Sequence, residues 1–122
     1  MQDDRGRIFR EAWIAGIVKY FPGTPKDSYI TPWDETPEWE KACATAVYDQ
    51  VVSFIAAGDN TAKLTRVQKG QFVAVCWREQ IRAHVAEPKP SHVPAWDDMP
   101  DWWQQTDSDI FERIEQSMNA RL

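Results

Sequence analysis

The chain carries the stretch PKDSYITPWDETPEW at residues 25–39 and, 63 residues later, the stretch PKPSHVPAWDDMPDW at residues 88–102. The two stretches align without a gap, and Trp33 of the first coincides with Trp96 of the second. Because tryptophan is a rare residue, such coincidences at fixed spacing seldom arise by chance. Self-similarity over a fixed distance indicates a structural repeat.

The similarity continues on both sides of these stretches. Upstream the offset becomes 64 residues, where Gly6 falls on Gly70 and Trp13 falls on Trp77. The change of offset means that the loop of the second copy is one residue shorter. Nearly the whole chain therefore belongs to one copy or the other.

The repeat predicts a single domain over residues 1–122, with repeat one at 1–58, repeat two at 65–122 and a linker at 59–64. A chain of this length has the size of one domain, and each unit alone is too small to bury a full core. We therefore predict a mainly α fold in which two helix–loop–helix repeats, related by a pseudo-twofold, close on each other. Any groove would form between matching residues of the copies.

Hydrophobic periodicity predicts the first helix within residues 4–20, with Asp3 or Asp4 as its N-cap. Residues 26–35 are predicted to be extended, because a residue before proline avoids the helical conformation. Repeat one would therefore continue through a short extended segment before its second helix.

The second helix is predicted to begin at Thr36-Pro37, with Thr36 as the N-cap and Pro37 at the first helical position. It would run to about Ala57, and Gly58 would end it.

In repeat two, Thr65 and Gln68 have the spacing of a capping box and predict the start of the third helix. The fourth helix is predicted from Pro100 to about Asn119. The side chains predicted to face inward are Ile8, Phe9, Ala12, Trp13, Ile17, Tyr20, Cys43, Val47, Val51, Phe54, Ile55, Phe72, Val73, Cys76, Trp77, Ile81, Trp103, Ile110, Phe111 and Ile114.

Composition narrows the function classes. The net charge is −5 and no basic stripe occurs, so duplex nucleic acid is not an expected partner. No apolar run reaches the ~18 residues of a membrane helix, and the first residues lack the apolar stretch of a signal peptide. We therefore predict a cytoplasmic protein, in which Cys43 and Cys76 would be reduced and buried.

Several of these segments resemble the ryanodine-receptor repeat (RyR) domain family. They are the aromatic-anchored helices IFREAW at 8–13 and FVAVCW at 72–77, the stretch ITPWDETPE at 30–38, and the Ala-Ala-Gly turn at 56–58. The segment LTRVQ at 64–68 also resembles the opening of a second repeat in that family. The chain is similar to its small tandem two-repeat members of bacteria and phages.

The resemblance implies a mostly helical fold, no known catalysis and an adenine-type ligand in the cleft between the repeats. That ligand would stack on the tryptophan of each first helix, which by position is Trp13 and Trp77. The family often places histidine three residues before this tryptophan, where the present chain has Arg10 and Ala74. The polar part of the site is therefore not carried over.

The residues themselves offer two interpretations of the same side chains. Trp13 and Trp77 could sandwich a base, or they could simply fill the core. Arg10, Arg78 and Arg82 could meet phosphates, or they could lie on the solvated helix surface or form ion pairs with the acidic residues of the loops.

Trp33 and Trp96 each precede two acidic residues, and they form the last candidate group for ligand binding. Paired carboxylates before a helix also stabilise it through its dipole, which is the structural alternative. The chain has two histidines and no glycine-rich phosphate loop, so neither catalysis nor a metal or cofactor site is predicted.

These observations predict a non-enzymatic module that senses or sequesters a nucleotide-like ligand between the repeats. The alternative is a protein-interaction or homodimerising module that uses the Trp/Pro-rich loops at 22–36 and 86–99. Exposed indoles at Trp33 and Trp96 would favour this alternative.

Overall fold

The computed structural model describes residues 4–58 and 61–119. Within these ranges the chain is helical and contains no β-strand, so the predicted mainly α fold is confirmed. The four long helices are α1 (Arg7–Tyr20), α2 (Glu38–Ala57), α3 (Arg66–His84) and α4 (Asp101–Asn119).

Short 3-10 turns connect the two helices of each half at matching positions. Asp27–Tyr29 and Trp33–Glu35 lie between α1 and α2, and Pro90–His92 and Trp96–Asp98 lie between α3 and α4. Each turn in the second half follows its counterpart by 63 residues. The order of elements therefore repeats with the spacing of the sequence motif.

These turns correct the prediction of an extended segment at 26–35. The proline rule restricts only the residue before each proline, and Thr31 is the only such residue in this segment. Extended conformations are found at single positions beside the turns, such as Lys26 and Thr36. The residues between them are free to form 3-10 turns.

The predicted N-caps of α1 and α2 are also wrong. The N-cap residue of α1 is Gly6, so the helix has no side-chain cap. The carboxylate of Asp4 instead accepts a hydrogen bond from the indole N–H of Trp33 at 3.2 Å. Thr36 is buried, and its hydroxyl donates to the Pro32 carbonyl at 2.8 Å, so Pro37 becomes the N-cap residue. Asp3 lies outside the described residues.

The other predicted helix boundaries are confirmed. Thr65 and Gln68 form the capping box that starts α3, with both of its hydrogen bonds present. Gly58 follows the last residue of α2, α1 ends at Tyr20, and α4 begins at Asp101, directly after Pro100. The predicted end of α4 at about Asn119 falls on the last described residue. Of the predicted linker, Asp59 and Asn60 lie outside the described residues.

In each half, one glycine allows the first helix to pack closely against the second helix. A Cβ atom on Gly6 would lie 2.6 Å from the backbone nitrogen of Thr45, and one on Gly70 would lie 2.5 Å from the hydroxyl of Ser108. The glycines are related by the 64-residue offset and their partners by the 63-residue offset. The start of the first helix therefore touches the second helix at the same point in both halves.

All four helices contribute to one core. Phe54 is the exception among the predicted inward residues, because it is 37% exposed. Its ring stacks on Phe72 at 4.4 Å near the end of α2, at the edge of the core. No described helix is long and apolar enough to cross a membrane. The most deeply buried side chains are Ile17, Cys43, Val47, Val51, Val73, Thr106, Ile110, Phe111 and Ile114.

Candidate functional site

A cavity of about 350 Å³ lies between the two halves, and we call it the inter-repeat cleft. This volume falls within the range of small-molecule sites. Most of its lining consists of matched positions from the two repeats. These pairs are Trp13 with Trp77, Ser28 with Ser91, Tyr29 with His92, Trp39 with Trp102, and Glu40 with Trp103.

Trp13 and Trp77 both line this cleft, so the structure brings the two predicted stacking residues to one place. The Trp77 indole stacks on Phe9 of the other repeat, with ring centroids 5.6 Å apart. Trp13 meets Trp102 and Trp103 of the other repeat edge-on, at 6.1 and 6.2 Å. Each indole therefore contacts rings across the repeat boundary and also faces the cleft.

Arg10 lies one turn before Trp13 on α1 and holds the neighbouring loop. Its Nε donates to the Thr31 carbonyl at 3.0 Å, and its Nη2 donates to the Ser28 carbonyl at 2.9 Å. Its Nη1 lies 3.8 Å from the carboxylate of Glu40. These partners occupy the donors that we expected to meet a phosphate.

Burial acts on both members of this ion pair. It lowers the pKa of Arg10, although the charge of Glu40 acts against this change. It raises the pKa of Glu40, although the charge of Arg10 acts against that change. The opposite charges of Arg10 and Glu40 compensate each other beside the cleft. An uncharged ligand group next to this pair is therefore favoured.

Arg78 and Arg82 lie outside the lining of the cleft. Successive helical residues point about 100° apart, so Arg78 turns away from the direction of Trp77. Its guanidinium donates to the Pro94 carbonyl at 2.8 Å. Arg82 pairs with Glu79 on the surface of α3 at 3.2 Å. Neither arginine faces the cleft: Arg82 forms an ion pair on the helix surface, and Arg78 bonds to a loop carbonyl, a role that the sequence reasoning did not consider.

Trp33 and Trp96 also lie outside the lining of the cleft. Trp33 is 3% exposed, and the ammonium of Lys41 lies 5.5 Å from the centre of its ring. The Trp96 ring packs so close to Gly70 that a Cβ there would lie 2.7 Å from it. The geometry therefore supports a structural role for both rings rather than ligand contact.

Asp107 is a residue of the cleft that the sequence reasoning missed. It lies on α4, is 3% exposed and lines the cleft. Its Oδ2 atom is buried and has no hydrogen-bond partner among residues 4–58 and 61–119. Burial raises the pKa of this carboxyl well above its ordinary value, although the charge of Arg78 acts in the opposite direction. Such an unsatisfied buried group costs about 1–3 kcal/mol.

The sequence held a signal for Asp107, because the 63-residue offset places it on Ala44 of repeat one. The sequence reasoning matched Trp102 with Trp39 and predicted that Trp103 faces inward, but it assigned neither to a ligand site. These two indoles stack on each other at 6.0 Å and form a wall of the cleft.

The cleft combines aromatic walls with polar side chains, among them Arg10, Lys26, Glu40, His92 and Asp107. Planar rings stack on such walls, and a carboxyl or an amide then fixes their orientation. In the part of the chain that the structure describes, no group of three or more His, Cys, Asp or Glu residues could hold a metal ion. No family model, curated protein or solved structure matches the chain.

Proposed function

We propose that the chain is a non-enzymatic binding module that holds a planar, nucleotide-like ligand in the inter-repeat cleft. The observation that carries this proposal is the convergence of Trp13 and Trp77, from matched positions, on one cavity of about 350 Å³. Stacking a base on an aromatic side chain contributes about 1–3 kcal/mol. Two such rings supply a large part of the affinity for a small ligand.

The contacts of the two indoles suggest how a ring would enter. Phe9 covers one face of Trp77, so a ligand ring would take the opposite face. The indole N–H of Trp13 already donates to the Tyr29 carbonyl at 3.0 Å, so Trp13 would offer its ring rather than its donor. Lys26 lines the cleft and is exposed, which makes it the group we propose for contact with a phosphate.

The resemblance to RyR repeats supports an adenine-type ligand for the same place. A cytoplasmic location also belongs to this proposal, supported by the two cysteines, which are buried and unpaired. The module would sense or sequester its ligand, since we assign no reacting group to the cleft.

Titration with adenosine and AMP, followed by tryptophan fluorescence and by thermal shift, tests the proposal. Trp77→Ala should weaken binding roughly 5- to 150-fold, the equivalent of one lost stacking contact. Trp77→Phe keeps a ring and should retain much of the affinity. Trp96→Ala serves as the matched control, because this indole lies outside the cleft.

Two results would contradict the proposal. One is the absence of any fluorescence change or thermal shift up to millimolar concentrations of both compounds. The other is a Trp77→Ala protein that remains folded and binds as well as the unchanged chain.

The alternative, an interaction module built on the Trp/Pro-rich loops, receives less support. It requires exposed indoles in these loops, whereas Trp33 is 3% exposed and Trp96 is partly buried against Gly70. A homodimer remains a separate prediction. Measuring the solution mass across a range of protein concentrations tests it.

A further inference from the structure

The other repeat has no polar side chain at the position that aligns with Asp107. The matching position in repeat one is Ala44, which is buried and 4% exposed. The packing of the helices therefore needs only a small side chain at this point, and the carboxyl group is an addition in repeat two. Because an unsatisfied buried polar atom is unfavourable for folding, this addition calls for an explanation in binding.

The surroundings of Asp107 favour the uncharged carboxylic acid. Burial raises the pKa of this carboxyl, and the charge of Arg78 on α3 acts against burial with a smaller effect. A protonated carboxyl presents one O–H donor beside one C=O acceptor. The other ionisable groups that line the cleft are Arg10, Lys26, Tyr29, Glu40 and His92.

We propose that Asp107 selects the ligand of the cleft by pairing with a planar, uncharged ring that carries a hydrogen-bond donor and an acceptor side by side. An amino group next to a ring nitrogen has this pattern. The ring stacks on the aromatic walls, and the Asp107 carboxyl forms hydrogen bonds with the donor and the acceptor on its edge. This inference rests on the proposed function, since the ring must first stack in the cleft. A ligand with two adjacent donors, such as an amidinium, would instead require the ionised carboxylate.

The test compares adenosine with purine riboside, which differs only by lacking the amino group, and adds benzamidine as a ligand with two donors. Each is titrated into the unchanged chain, into Asp107→Asn and into Asp107→Leu. The asparagine amide keeps a donor beside an acceptor, whereas leucine keeps only the approximate shape. Thermal unfolding of each variant verifies that it is folded.

The unchanged chain should bind adenosine at least about tenfold more tightly than purine riboside. Asp107→Asn should keep this preference. Asp107→Leu should lose it, with adenosine falling to the affinity of purine riboside and purine riboside unchanged.

The outcomes separate this inference from the proposed function. If the chain binds neither nucleoside, the proposed function fails and the inference fails with it. If both nucleosides bind equally well, or if Asp107→Leu keeps the preference, only the inference is overturned. Benzamidine binding that exceeds adenosine binding and disappears in Asp107→Asn would also overturn it, because the carboxylate would then be the active form.

Discussion

At the scale of single residues, the inter-repeat cleft shows where the two halves have diverged. Trp13 and Trp77 keep the same residue type and line the same cavity. At other aligned positions the repeats differ: Asp107 aligns with Ala44, and Arg10 aligns with Ala74. Identity at fixed spacing marked Trp13 and Trp77 as a matched pair, but it marked Trp33 and Trp96 equally, and the choice between the pairs rested on the resemblance to RyR repeats. Asp107 was missed, because an aspartate in the polar stretch QQTDSD gives no local sign of burial and only the 63-residue offset to Ala44 pointed to it.

The buried carboxyl gives a prediction about pH. Since the pKa of Asp107 is raised in the folded state, the folded chain keeps a proton that the unfolded chain releases above about pH 4. Rising pH therefore favours unfolding through this group. Asp107→Asn removes the effect, so its melting temperature should exceed that of the unchanged chain by a margin that grows from about pH 4 upward. Near-ultraviolet circular dichroism measures this margin, and a margin independent of pH would refute the prediction.

At the scale of elements, the position of the helices was more predictable than their connections. Periodicity and the capping box at Thr65 located the helices, because both signals are local. The 3-10 turns and the role of Thr36 were not predictable in the same way. The Thr36 hydroxyl donates to a loop carbonyl because this residue is buried beneath the loop, and that burial depends on the packed molecule.

The close approaches at Gly6 and Gly70 predict a cost for any added side chain. A methyl group at Gly70 would meet Ser108 and the Trp96 ring at less than 3 Å, and one at Gly6 would meet the backbone of Thr45. Gly6→Ala and Gly70→Ala should each lower the free energy of unfolding by about 1–3 kcal/mol. Urea denaturation measures the loss.

The matched control is Gln71→Ala, an exposed position next to Gly70 on α3. It should change the stability by no more than about 0.5 kcal/mol. Wild-type stability in both glycine variants would show that the helices can separate without penalty.

Glu115 of α4 accepts hydrogen bonds from Thr61, which precedes α3, and from Lys69 of α3, and it predicts the opposite response to pH. Burial opposes its ionisation, but hydrogen bonds from Thr61 and Lys69 lower the pKa of this carboxyl below its ordinary value. A lowered pKa contributes stability above about pH 4 that is lost as the pH falls through the folded-state value. Glu115→Gln should therefore melt earlier than the unchanged chain at neutral pH and equally in acid. A melting difference that persists at low pH would contradict this assignment.

At the scale of the whole molecule, the prediction that two helix–loop–helix units close on each other agrees with the recurrence of turns and glycine contacts at the repeat spacing. The repeat alone implied this closure, because neither unit can bury its apolar face alone. What one chain could not show is which faces meet, since that depends on the fit of side chains across the boundary.

Thiol labelling provides a measure of the closed state. Cys43 and Cys76 are buried in α2 and α3, and burial raises the pKa of each thiol to about 11. Because the thiolate is the reactive form, both should react with a disulfide reagent at neutral pH far more slowly than a free thiol. The rate should rise to that of a free thiol in urea.

Single-cysteine variants, Cys43→Ala and Cys76→Ala, separate the two sites. Equal labelling rates would indicate that the halves open together. Rapid labelling of either thiol in the native protein would contradict the burial described above.

The clustering of indoles in the cleft has a consequence for spectroscopy. Trp13, Trp102 and Trp103 have ring centroids within 6.2 Å of one another. At such separations the electronic transitions of neighbouring indoles couple, and their exciton bands overlap the far-ultraviolet signal of the peptide backbone. Helicity read from that spectrum will therefore depart from the true value until the chromophores are accounted for. A molecule that binds between these indole rings will change the intensity of the exciton bands.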